Sequence, residues 1–295
     1  SVEARERSRK IHVVQLAFVA LPLNREKTRF IVALAVRGLR LVRPRPLLLP
    51  RLNKTFFSKE NRNTFVNLRF ASILHGDEER WPGHSADVVH LAGCPFNCPW
   101  CNTPSLVKSE GFDEKPVEYF LDELAGAEAV VVTGGEPLMQ GNALLRLLQG
   151  LDAPARIETN GYYPETLNDC LPLASEVALD FKAALKPAEY KKASRFRGDP
   201  ETLYSNVLRS LTFLEKNGSR VRKEFSFTVF PDTKTGGLAE TASYVSLYCD
   251  EFVLRPFQPG NCLDSSFNSV EAPTTNKMSE ALNAVRGKVR KAVIR

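Results

Sequence analysis

Residues 87–104 read DVVHLAGCPFNCPWCNTP. A short Val-rich run, Asp87–Ala92, passes directly into a loop carrying three of the chain's six cysteines, Cys94, Cys98 and Cys101. Three residues separate the first two cysteines and two residues separate the second pair. The other three, Cys170, Cys249 and Cys262, are scattered and read as small buried residues. Six cysteines in 295 residues do not make the disulfide framework of a short secreted chain. The pattern suits a reducing compartment and one cysteine-ligated site.

Working outward from this loop, apolar runs recur at regular intervals. Glu128–Thr133 (EAVVVT), Arg156–Thr159, Val177–Asp180, Glu224–Phe230 and Glu251–Phe257 follow the first run. Their continuous Val, Ile and Phe content predicts strands buried on both faces, as in parallel sheets. Segments with helical spacing lie between them: Val117–Leu124, the Leu144–Leu148 cluster, Leu167–Leu173, Leu203–Leu214 and Leu238–Tyr248. Alternation of this kind predicts right-handed crossovers with helices outside the sheet. About six units fall between residues 86 and 290, too few for a closed eight-stranded barrel. The expected fold is α/β, a partial (βα)6 TIM-like barrel, with ligands at the carboxyl ends of its strands.

Three thiolates on a short loop can ligate three irons of a [4Fe–4S] cubane and leave the fourth iron without a protein ligand. A small molecule can take that corner through an amine and a carboxylate. Electron transfer from such a cluster breaks the sulfonium C–S bond of S-adenosylmethionine (SAM) and yields a 5′-deoxyadenosyl radical, chemistry that belongs to the cofactor. Zinc is the competing reading, because Cys-x2-Cys is its commonest spacing. A closed zinc site needs a fourth ligand, for which only His84 and His90 are near, and no second Cys-x2-Cys follows.

Residues 130–138 read VVVTGGEPL. Gly134 and Gly135 at a strand's carboxyl end let a ligand approach the backbone without meeting a Cβ. Glu136, followed by Pro137, adds an acceptor for an ammonium group. Farther along, IETNG (157–161) and ALDFK (178–182) end the next two strands and bring Glu158, Thr159, Asn160, Asp180 and Lys182 to the same rim. One reading is a solvated salt-bridged rim of little energetic weight. The other pairs Lys182 with the carboxylate of SAM and Asp180 with its ribose or a cation.

The Cys-x3-Cys-x-aromatic-Cys spacing resembles the signature of the radical SAM superfamily, with Trp100 in the aromatic slot. The resemblance implies that Trp100 packs near adenine and that the GG-E-P loop receives the SAM amino group. Over roughly residues 70–265, including Trp81-Pro82-Gly83, Lys186-Pro187 with Tyr190, and FVLRPFQPGNCLD (252–264), the chain is similar to glycyl-radical-enzyme activases. Two of these are pyruvate formate-lyase activase and the anaerobic ribonucleotide reductase activator. That similarity implies anaerobic work with a low-potential donor such as flavodoxin or ferredoxin. It also implies a glycyl radical enzyme as the partner substrate, and a monovalent cation held by Glu158, Thr159, Asp180 and the Ala178 carbonyl. Glu158 stands where the group has aspartate. FPDTKTGGLAETA (230–242) lacks that activase's histidine, and Asn102-Thr103-Pro104 replaces the group's frequent His-Asn-Pro. No inserted ferredoxin-like segment is present, so one cluster is expected.

LAGCPFNCPWCNTP with IETNG is also similar to 7-carboxy-7-deazaguanine synthases, although Asn102 stands in place of their aspartate. A third reading, from another class, is a non-catalytic iron–sulfur protein for electron transfer or sensing. It gives the GG-E-P loop and Lys182 nothing to do.

The formal net charge of +6 is unevenly placed. Residues 1–65 carry 15 Lys/Arg against 4 Asp/Glu, whereas the rest carries 25 against 30. Residues 1–65, broken by Pro44, Pro46 and Pro50, read as a basic N-terminal extension, with a targeting peptide or a basic arm as alternatives. Residues 66–295 read as the radical SAM domain. The catalytic body is therefore not basic, and nucleic acid is not an expected partner. No run approaches the roughly 18 apolar residues of a membrane span. We read the protein as soluble and cytoplasmic.

Overall fold

Val130, Val131 and Val132 have no exposed surface, the condition of a strand covered on both faces. They belong to a nine-stranded sheet in a computed structural model that describes residues 66–108, 111–217 and 220–295. The strands are β1 (Asn67–Asp77), β2 (Ala86–Leu91), β3 (Asp113–Pro116), β4 (Ala129–Gly134), β5 (Ala155–Thr159), β6 (Glu176–Phe181), β7 (Arg222–Val229), β8 (Glu251–Pro256) and β9 (Ala292–Ile294). The helices are α1 (Val117–Glu123), α2 (Gly141–Gly150), α3 (Pro164–Cys170), α4 (Pro187–Ser194), α5 (Pro200–Lys216), α6 (Thr235–Val245) and α7 (Thr275–Val285). The basic extension expected over residues 1–65 lies outside the described residues.

Sheet order is β3-β1-β2-β4-β5-β6-β7-β8-β9. The six expected strands are β2 and β4 through β8, and they run parallel. β9 extends them with a seventh parallel strand, while β1 and β3 close the other side antiparallel. The sheet is open, as in a partial (βα)6 barrel.

Alternation along each strand divides the side chains between two environments. Val130, Val132, Ile157, Val177, Leu179, Phe225, Phe227, Phe252 and Leu254 pack into one core with the helices. α5 shows how such a helix is specified. Asp199 caps it by accepting from the Thr202 N–H at 2.7 Å, Pro200 sits in its first turn, and Leu203, Val207, Leu211 and Leu214 form one buried stripe.

The inner face, away from the helices, is different. Trp81, Ala86, Val88, Ala129 and Val131 form a small apolar cluster on it. Beside them stands a ladder of charge: Arg156 and Glu158 on β5, Glu176 on β6, Arg222 and Glu224 on β7, and Glu251 on β8. Arg156 is fully buried and pairs with Glu176, with Glu224 at 2.8 Å and with Glu158 at 3.3 Å. Arg222 bridges Glu176 at 2.6 Å and Glu251 at 2.5 Å, and Arg295 bridges Glu224 at 2.7 Å and Glu251 at 2.8 Å. Burial alone would raise the Glu224 carboxyl. Arg156, Arg255 and Arg295 outweigh it and hold the pKa down at about 2.

Removing one member of a buried ion cluster strands the others. Arg156→Met is expected to cost roughly 3–5 kcal/mol, read as a lower urea midpoint at pH 7. Because the Glu224 pKa is depressed from 4.5 to about 2, its contribution is complete above pH 4.5 and is lost as pH falls toward 2. Glu224→Gln is expected to flatten that acid limb of the urea midpoint; an unchanged limb would refute the assignment.

Candidate active site

The cysteine loop begins where β2 ends, and backbone hydrogen bonds hold it on several sides. Gly93, with φ +94°, donates to the Leu106 carbonyl at 2.8 Å, and Cys94 donates to Val107 at 3.1 Å. Asn97 donates to the Ser194 carbonyl at the end of α4, at 2.8 Å. On the far side, Leu263 donates to the Cys101 carbonyl at 3.0 Å and Asp264 to that of Pro99 at 2.9 Å. Cys98 is buried, Cys94 and Cys101 are half-buried, and all six cysteines are free thiols.

Cys94, Cys98 and Cys101 line one cavity of about 580 Å³ at the carboxyl ends of the parallel strands, within the size range of small-molecule sites. Burial pushes the Cys94 and Cys98 thiols up to about 12. Two such thiols become thiolates when a cationic centre compensates them. Among the described residues, no three His, Cys, Asp or Glu side chains sit close enough to hold a single metal ion. A cubane sets a different requirement, because each cysteine meets a different iron. Three cysteines lining a shared cavity, with no fourth cysteine among the described residues that line it, fit that donor set.

Two of the three sulfurs have polar neighbours. Asn160 Nδ2 lies 3.7 Å from Cys94 Sγ and Thr103 Oγ1 lies 3.6 Å from Cys101 Sγ. Asn160 is fixed for this contact: its Oδ1 accepts from Tyr162 N at 3.0 Å and its own N–H donates to Glu136 at 2.7 Å. Trp100 also lines the cavity, with its ring 5.0 Å from Phe230 and 6.2 Å from Phe267. It is thus both a packed aromatic and a wall of the site.

The glycine pair is also required by packing. A Cβ on Gly134 would meet the Leu91 carbonyl at 2.0 Å, and one on Gly135 would meet that of Gly93 at 2.2 Å. The turn after β4 therefore excludes side chains because the root of the cysteine loop presses against it. Both glycines also face the cavity.

Glu136, expected to accept an ammonium group, has three hydrogen-bond donors of its own within the protein. It is fully buried and absent from the cavity wall, accepting from Thr159 Oγ1 at 2.7 Å, Asn160 N at 2.7 Å and Leu138 N at 3.1 Å. Burial pushes its carboxyl up to about 7. Pro137 is buried beside it and begins a 3-10 turn.

The side chains that the activase resemblance assigns to a monovalent cation each have partners within the protein. Glu158 already accepts from Arg80 and Thr133 Oγ1, each at 2.8 Å, and faces Arg156. The Thr159 hydroxyl donates to Glu136. Asp180 pairs with Lys182 and accepts from Ser226 Oγ at 2.7 Å. Burial works against the Lys182 ammonium, but Asp180 and Cys98 outweigh it and raise its pKa. Lys182, Asp180, Glu158, Thr159 and Asn160 all reach the cavity wall.

Sequence reasoning missed Arg80, Thr133, Ser226, Thr228 and Arg295, which also line it, as does His90, noted in the sequence only as a possible zinc ligand. His90 lies 3.2 Å from Ser72 Oγ, and burial together with Arg80 lowers its pKa. A signal existed in β7, where Glu224, Ser226 and Thr228 alternate with Phe225 and Phe227. That period of two marks a polar inner face.

An open, mostly parallel sheet with a three-cysteine loop after its first parallel strand and a glycine turn after the next is an α/β fold of the partial-barrel kind, and its cysteine triad is compatible with iron–sulfur and SAM binding. Residues 88–242 match the Radical SAM superfamily, and the chain belongs to it. A Methanocaldococcus jannaschii protein provisionally named a glycyl-radical enzyme activating enzyme is 26% identical over 223 residues, 73% of this chain and 90% of that protein. The 7-carboxy-7-deazaguanine synthase of Hyperthermus butylicus is 38% identical over 105 residues, 34% of this chain and 44% of that enzyme. The one from Thermococcus kodakarensis is 29% identical over 203 residues, 60% and 76% of the two chains. The fold is shared with a radical SAM methyltransferase from Sphaerobacter thermophilus, with TM-score 0.55, 15% identity, and 73% and 67% of the chains covered.

Hydrogen bonds to cluster sulfurs stabilise the more negative, reduced state and raise the reduction potential. In protein carrying an iron–sulfur cluster on these cysteines, Asn160→Leu is expected to lower the midpoint by on the order of 40 mV, the equivalent of a bond worth roughly 1 kcal/mol. An EPR-monitored redox titration reads this. An unchanged midpoint would remove Asn160 from the sulfur's environment.

Proposed function

We propose that residues 66–295 form a catalytic domain in which Cys94, Cys98 and Cys101 hold a [4Fe–4S] cluster with one iron open to SAM. The observation that carries this reading is the shared cavity, lined at once by Cys94, Cys98 and Cys101, by Gly134 and Gly135, and by Lys182. These cysteines would hold the cluster, whose chemistry would be one-electron reduction of the sulfonium to methionine and a 5′-deoxyadenosyl radical. The chain's own task is binding and orientation. Lys182, cationic and positioned by Asp180, receives the SAM carboxylate. The main chain of Gly134 and Gly135 receives the ammonium group, since Glu136 is engaged elsewhere. Trp100 packs against adenine, and Asp180 with Ser226 borders the ribose.

For the radical's target, the favoured reading is a glycine Cα of a partner enzyme, making this chain an activase. The M. jannaschii relative supports it, because that similarity runs along most of both chains. A low-potential flavodoxin or ferredoxin would supply the electron. A second reading, ring contraction of a carboxylated pterin, is favoured by the synthase relatives and by a polar cavity holding Arg80, His90 and Arg255.

Reconstituted without oxygen and given dithionite and SAM, the protein is expected to release methionine and 5′-deoxyadenosine. An intact cluster without cleavage would contradict the reading. Cys98→Ala is expected to abolish cluster and cleavage together. Lys182→Ala is expected to keep the cluster and weaken SAM binding about ten- to a hundredfold, as for a lost charge-assisted hydrogen bond. A glycyl radical seen by EPR on a supplied partner supports the activase. Conversion of 6-carboxy-tetrahydropterin supports the synthase instead.

A further inference from the structure

The outer side of the cysteine loop carries a feature that SAM binding does not use. A shallow groove of about 690 Å³ runs along α4 and the start of α5, lined among others by Pro187, Lys191, Lys192, Arg195, Phe196 and Glu201. Three cations face one carboxylate there. Arg195 is the one non-glycine among the described residues with positive φ, +45°, and its guanidinium is tied to Asp264 at 2.7 Å. Asp264 itself donates its backbone N–H to the Pro99 carbonyl of the cysteine loop, at 2.9 Å. The groove is thus built onto that loop and does not drift on a free surface.

The layer beneath it points the same way. Phe196, in the groove, packs edge-on against Phe96 with ring centroids 6.1 Å apart. Phe96 is 1% exposed, stands two residues from both Cys94 and Cys98, and forms part of the cavity wall. The Asn97 N–H bonds to Ser194 at the end of α4. Two rings and a helix end therefore separate the groove from the cysteines. A protein seated here approaches the cluster from behind, while SAM and substrate keep the cavity.

We infer that the groove over α4, with Lys191, Lys192 and Arg195, is the docking surface for an acidic, low-potential electron-carrier protein. This rests on the proposed cluster: one electron leaves the reduced carrier and one enters the cluster, with no bond made or broken. A small charged surface suits a transient partner, since electron-transfer encounters bury little area and rely on electrostatic steering. Lys191 and Lys192 also lie in the last turn of α4, where a role confined to the helix dipole would affect stability alone.

The test uses the cluster-loaded full chain and the double variant Lys191→Glu with Lys192→Glu. Flavodoxin hydroquinone and reduced ferredoxin serve as the probes. Stopped-flow absorbance follows cluster reduction without SAM, and titration at several salt concentrations measures carrier binding. Steering makes the expected loss in the carrier-driven rate about tenfold or more at low salt, with its salt dependence largely removed. Reduction by dithionite is expected to be unchanged, while the urea midpoint falls slightly because both charges are reversed at the end of α4. Lys191→Arg with Lys192→Arg is expected to retain carrier binding. An unchanged carrier rate in the Glu variant would overturn the inference, as would an equal loss with dithionite. Retention of transfer RNA by wild-type protein with no carrier binding would overturn it too, assigning the groove to phosphate. Because cluster reduction is read without SAM, none of these outcomes depends on whether SAM is cleaved.

Discussion

The site depends on a close backbone contact between two strand ends. The carbonyls of Leu91 and Gly93 occupy the space that Cβ atoms on Gly134 and Gly135 would need. Gly135 N and Glu136 N then donate to those same two carbonyls, at 2.9 and 2.8 Å. The cysteine loop is thereby fixed to the turn after β4. From that turn Glu136 reaches to Thr159 and Asn160 at the end of β5, and Asn160 reaches back to Cys94. Three successive strand ends are locked to one another and to a thiol. Such an arrangement fixes a ligating loop before any ligand arrives, so little ordering remains for the bound state.

The inner face of the sheet supports this rim by a different means. A barrel too short to close cannot fill its interior with apolar layers alone and still leave a cavity. Here the apolar cluster around Trp81 fills part of it, and paired charges occupy the rest. Trp81 Nε1 donates to Glu176 at 3.0 Å, linking the two parts. Arg156, Arg222, Arg255 and Arg295 are set among Glu158, Glu176, Glu224 and Glu251. Near-neutrality within the cluster keeps the desolvation cost tolerable, and its upper members open into the cavity as polar walls.

Much of this was legible in the sequence. The six parallel strands follow from their short apolar runs, continuous in β4 and interrupted by inner-face polar residues in β5 and β7. The cysteine spacing and the GG-E-P turn located the rim. β1, β3 and β9 were not legible: NLRFASILHGD is half-exposed along most of its length, DEKP is an edge, and AVI is three residues long. Propensity is silent on such pieces. α4 and α7 escaped as well; in α4 only Tyr190 and Ser194 are buried, so no apolar stripe announces it. At the site, residue type identified Glu136 as an acceptor but could not say whose. Its partners come from a strand that is distant in sequence. The charge ladder was hidden for a related reason: Arg156 and Glu224 stand beside core residues such as Ile157 and Phe225, and which charges meet across strands is set by a register that the sequence does not print.

The most direct test of the cluster assignment is EPR of anaerobically reconstituted, reduced protein with and without SAM, together with its metal content. The expected result is about four irons per chain and a signal whose g-values shift when SAM occupies the open iron. A stoichiometric zinc content, or a cluster signal indifferent to SAM, would contradict a three-cysteine site with one open corner.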